Sequence, residues 1–146
     1  MPTILGDTYP GTSTSVPPHM AREDYLIWSR WRPKIAEHIR HFWADVRLGA
    51  GAPVPGGTSA ADREYWLAQT QKRADLLILF DDLGLALVEL RNEANANAIG
   101  RLMMYDALYA QDPVAGPLAH LILVTNQADP DVALIAQQQD ITYIVT

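Results

Sequence analysis

Two short apolar runs, Leu76–Phe80 and Leu85–Leu90, stand on either side of Asp81-Asp82-Leu83-Gly84. Their lengths suit strands, and the Asp-Asp-x-Gly segment supplies turn chemistry, so the pair predicts a β-hairpin. Both faces of both runs are apolar, and the sheet they belong to is therefore expected to be covered on two sides. Charge enters at one end. Asp75 opens the first run, and Glu89 and Arg91 close the second. A three-residue loop centred on Asp82 puts Asp75 opposite Glu89; one centred on Leu83 puts it opposite Arg91. In either register the three side chains share a face, because side chains alternate with period two. An even-membered loop would separate them. Directly opposed positions are only ~5 Å apart. Two carboxylates at that range repel unless a proton or cation lies between them, and Mg²⁺ or Mn²⁺ with oxygen ligands is the usual solution. Such an ion could polarise a phosphate and generate hydroxide from bound water. The plainer alternative is a structural ion pair in which Asp75 and Glu89 flank Arg91 at a sheet edge.

Around the hairpin the chain alternates strand and helix signals. Residues 20–48 read as helix with a joint near Pro33, a residue favoured in the first turn of a helix. Ile35, Ile39, Phe42 and Val46 recur at spacings of 4, 3 and 4, an apolar stripe that Ala36 and Trp43 widen. Residues 49–57, GAGAPVPGG, end that segment as a loop. Residues 60–72 read two ways. Ser59 with Asp62 could cap a helix, while Arg63–Gln69 also passes as a strand, which is the preferred reading. Ala96–Ala110 is expected to be a helix, Ala119–Thr125 a buried strand, Pro130–Gln139 a short helix and Ile141–Val145 a closing strand. That order gives a mixed α/β sheet with flanking helices.

The chain of 146 residues has room for one core. Residues 1–18 are rich in Pro, Gly, Ser and Thr, and form an extended arm before a single domain over 19–146. The arm packs either on its own domain or on a partner subunit. The absence of cysteine leaves no disulfide or thiolate zinc site and fits a reducing, intracellular location. No secretory signal is expected, and no stretch approaches the ~20 apolar residues of a membrane span. A net charge of −6 argues against nonspecific coating of nucleic acid. Basic residues nevertheless cluster between His19 and Leu48, where a locally positive face could form.

Arg73-Ala74-Asp75, then Glu89-Leu90-Arg91, then Gly100-Arg101 to Tyr105 resembles the PD-(D/E)xK nuclease superfamily. Its pattern is an acid opening one strand, a hairpin, acid-x-Lys on the next strand, and a helix that often carries Gln or Tyr. The resemblance covers most of residues 20–145 in element order and implies a restriction-endonuclease-like αβββαβ core, here with an N-terminal arm and a C-terminal helix–strand. It implies Asp75 and Glu89 as metal ligands for Mg²⁺ or Mn²⁺ and Arg91 at the Lys position. Arg101 and Tyr105 would contact a DNA phosphate. Three features depart from the pattern. Ala74 replaces Pro, which is harmless. Arg91 replaces Lys, and a guanidinium is essentially never deprotonated, so it cannot act as a general base. The helical acid lacks a match, since Glu37 falls about 200° from Ile35 on a helix, away from the apolar stripe.

Two functions follow from the resemblance, beside a third possibility of an unrelated α/β binding domain in which the hairpin charges are incidental. The first is a metal-dependent nuclease-like domain acting on DNA, with Asp75, Glu89 and Arg91 at the chemistry. The second is the same fold with attenuated or lost catalysis, serving as an assembly or interaction subunit. For the second, self-association or a protein partner would use the arm and the region of Trp28 and Trp31, which are expected at an interface. His38 and His41, three apart, are a weak metal pair with no third ligand nearby.

Overall fold

The computed structural model describes residues 2–82 and 84–146. Its elements run β1 (Thr8–Pro10), α1 (Arg22–Ile35), a 3₁₀ turn (Ala36–His38), β2 (Ile39–Leu48), α2 (Ala60–Thr70), β3 (Lys72–Phe80), β4 (Gly84–Arg91), α3 (Ala96–Ala110), β5 (Leu118–Thr125), α4 (Pro130–Gln138) and β6 (Ile141–Val145). The six strands form one mixed sheet in sequential order β1 to β6. Pairing is antiparallel from β1 to β4 and parallel from β4 to β6. Each parallel step is bridged by a helix, as a crossover requires.

Helices cover both faces of the sheet, as two-sided apolar strands demand. Leu77, Leu85, Leu87 and Leu123 pack under Ile99, Leu102, Tyr105 and Tyr109 of α3 and Val132 and Ala136 of α4. On the opposite face Leu76, Ile78, Val88 and Val124 pack under Ile27, Trp28 and Trp31 of α1. The result is a mixed α/β sheet between helical layers, and α1, β2, β3, β4, α3 and β5 supply the expected αβββαβ order. α2 is inserted between β2 and β3, and α4 with β6 is appended.

Three expectations are corrected. Residues 39–48 are strand, not helix, and Pro33 lies near the end of α1 rather than in a first turn. The misleading spacing has a physical origin. Asp45 adopts a left-handed φ of 54°, which breaks the two-residue alternation. Trp43 and Val46, three apart, consequently face the same core, as helical neighbours would. Aromatic and β-branched residues at 39, 42, 43 and 46 suit a strand on local preference too. With β2 a strand, the helical spacing of His38 and His41 disappears, and His41 instead meets Trp43 edge to face at 4.7 Å. Residues 60–70 are helix, not strand, with Ser59 capping by accepting from the Asp62 amide at 3.2 Å. Trp28 and Trp31 are core residues, 1% and 3% exposed, and so are unavailable to an interface.

The N-terminal arm lies along its own domain. Thr8, Tyr9 and Pro10 pair with Trp43, Phe42 and His41, and Ile4 exchanges both backbone hydrogen bonds with Arg47 at 2.9 and 3.0 Å. No helix among the described residues is long and apolar enough to cross a membrane. Met1 and Leu83, the latter an alternative centre for the hairpin loop, lie outside the described residues.

Candidate active site

The hairpin register decides which charges meet. Phe80 pairs with Gly84 and Leu76 with Val88, where the paired ladder ends; the loop is therefore centred on Asp82, the register in which Asp75 is expected to meet Glu89. Gly84 carries a φ of +80°, where a side chain would be strained. Asp75, Glu89 and Arg91 come together at this end of the hairpin. Beyond Leu76 the ladder is capped by a side chain, since the Leu90 amide donates to Asp75 Oδ2 at 2.7 Å. Arg91 Nη2 reaches Glu89 Oε2 at 3.4 Å. Access is graded: the Glu89 side chain is 2% exposed and that of Arg91 is 34%.

Electrostatics follow from this crowding. Burial pushes the Asp75 carboxyl well above the usual carboxylate range, and hydrogen bonding to Glu89 and repulsion from its charge push it the same way. The Leu90 amide and the Arg91 guanidinium oppose them without prevailing. Asp75 therefore holds its proton more tightly than a free carboxyl does.

A further acid, missed in the sequence, feels the charges of this site. Asp24 in the first turn of α1 is pushed up to about 6, chiefly by burial and next by the charge of Asp75, with Arg91 pulling it down. The signal was present: Asp24, Ile27, Trp28 and Trp31 follow the i, i+3, i+4, i+7 pattern of one helix face, and that face is the buried one. Glu37, by contrast, is 83% exposed and pairs with His38 at 3.3 Å. Ionising Asp24 is harder in the folded chain than in the unfolded one, so stability should fall as pH rises from about 4 through 6. Thermal melts across this window are expected to show a downward slope that Asp24→Asn flattens; an unchanged slope would place the titration elsewhere.

From the other helical layer comes Tyr105, whose hydroxyl is pushed up by burial first and by Glu89 next, with Asp75 adding and Arg101 and Arg91 opposing. It stays protonated and able to donate. Arg101, one helical turn earlier and exposed, lines with Tyr105 a concavity of about 410 Å³ that also includes Lys72 and Arg73. Asp75, Glu89 and Arg91 are not among its lining residues. The expected acids and arginine therefore converge, and the two expected phosphate contacts sit beside them around a separate hollow.

The donor set fits a hard cation in one form. Among the described residues no group of three or more His, Asp or Glu side chains gathers to hold a metal. Mg²⁺, however, is commonly held by one or two carboxylates, the remaining positions being water and substrate phosphate. Asp75 and Glu89 can supply that minimum.

No protein-family model matches the chain, and no curated protein matches it. Among solved structures it is similar to a repair endonuclease from Pyrococcus abyssi, with a TM-score of 0.48 and 12% identity over 90% of this chain. The match covers 49% of that structure, so this chain spans about half its length.

Proposed function

We propose that this domain is a metal-dependent nuclease-like protein acting on DNA phosphodiesters. The observation that carries the reading is the meeting of Asp75 and Glu89 across the β3–β4 register, with a carboxyl held well above its usual range and a guanidinium alongside. Asp75 and Glu89 would hold Mg²⁺ or Mn²⁺, which when bound supplies a Lewis acid and a more acidic water. Arg91 carries a permanent charge and stabilises negative charge on the phosphate; it takes no proton. Tyr105 donates a hydrogen bond to a phosphate oxygen, and Arg101 adds a charged contact at the mouth of the neighbouring hollow.

One observation favours a second reading. Glu89 is almost fully buried and already meets Arg91, which suits a structural ion pair in a fold that has given up catalysis for an assembly or interaction role. Two measurements separate them. Millimolar Mg²⁺ or Mn²⁺ should raise the melting temperature by differential binding to the folded state and should support cleavage of labelled DNA. A melting temperature and substrate both untouched by metal would leave the non-catalytic reading standing.

A further inference from the structure

Arg47 and Arg73 are direct cross-strand partners between β2 and β3. Like charges set opposite each other destabilise a sheet unless something negative neutralises them. Arg73 is satisfied: it bonds to Asp45 Oδ2 and to the Ala68 carbonyl. Arg47 is half-buried and forms no salt bridge to any acid among the described residues. Both arginines line a hollow of about 390 Å³ beneath the N-terminal arm, walled at one side by Tyr9. That hollow shares Gln69 and Arg73 with the concavity of about 410 Å³ that holds Lys72, Arg101 and Tyr105. The two hollows, together the trough, therefore adjoin at Gln69 and Arg73.

Its charge is opposite to that of the molecule. Arg47, Lys72, Arg73 and Arg101 face only Asp7 and Asp45 along its walls, within a chain of net charge −6. Positive hollows with the half-buried ring of Tyr9 on one wall suit a single strand, in which cations follow the phosphates and an aromatic ring can stack on a base. The arm lies over one end, which leaves less room for a duplex than for a single strand.

We propose that these hollows bind single-stranded DNA, its backbone running from Tyr9 past Arg47 and Lys72 to Arg101, beside the acid pair. The assignment rests on the DNA-acting reading above only for where the strand leads. Arg47 is the deepest phosphate contact, and Lys72, exposed on β3, is the next.

The test uses a labelled oligo-dT of about twelve nucleotides and its duplex counterpart, with the full chain in EDTA so that no cleavage intervenes, read by fluorescence anisotropy. The single strand should bind more tightly than the duplex. Arg47→Glu and Lys72→Glu should each weaken binding roughly 10-fold and flatten the salt dependence by about 0.7 per lost phosphate contact. Arg63→Glu, exposed on α2 outside the trough, should change neither, and melting curves check that each variant is folded. Equal losses for all three variants, duplex binding as tight as single-strand binding, or no loss at Arg47 and Lys72 would each overturn the assignment. Its failure is distinguishable from that of the nuclease reading. Arg47-dependent binding without metal-dependent cleavage keeps the trough and removes the nuclease, and cleavage with Arg47-independent binding does the reverse.

Discussion

Asp75→Asn should lower metal-dependent DNA cleavage by about 10³-fold or more, while making the metal-free protein more stable. The two effects come from one cause. The substitution keeps the oxygen that accepts the Leu90 amide but removes a charge that burial and Glu89 both disfavour. Because the folded chain raises this carboxyl above its unfolded value, its ionisation withdraws stability as pH climbs from the unfolded value through the folded one. At neutral pH the neutral side chain escapes that loss, with an expected gain on the order of 1 kcal/mol, or ~2–4 °C in Tm for a domain of this size. The metal-induced rise in melting temperature should vanish in the same variant. Stabilisation with intact metal response and intact cleavage would remove Asp75 from the site; stabilisation in a protein that never cleaved would leave a structural acid pair.

Trp28→Ala should destabilise the fold by about 3–5 kcal/mol, the range for truncating a buried aromatic. Trp28 is 1% exposed and sits edge to face against Trp31 at 5.7 Å and Phe42 at 5.1 Å, so its loss removes apolar burial and two aromatic contacts together. It joins α1 to β2, and α1 carries Asp24. Urea unfolding should show a lower midpoint at an unchanged m-value, and Trp28→Phe should recover much of the difference. A loss below about 1 kcal/mol would mean the helix is anchored by other residues.

The hairpin was legible because its turn residues and apolar runs act locally: Asp81, Asp82 and Gly84 fix an odd loop, the parity on which Asp75, Glu89 and Arg91 were expected to meet, as they do. β2 was not, because a single left-handed residue, Asp45, rephased an alternating pattern into helical spacing, and local periodicity carries no mark of such a break. α2 buries no residue, so no apolar stripe exists to separate helix from strand; only the Ser59 cap pointed the right way. Asp24 went unrecognised because the helix was phased on Ile35 rather than on the tryptophan face that packs on the sheet. What such an acid does depends on which layers close over it, and that is a tertiary fact.

The two borders of the sheet differ in what they can recruit. At one, β1 is three residues long and ends at Pro10, which has no amide hydrogen to offer, so a newcomer finds almost no ladder there. At the other, the five residues of β6 pair only with β5 among the described residues. Growth of this sheet by an incoming strand is therefore one-directional, and Ile141–Val145 is the template along which it would proceed.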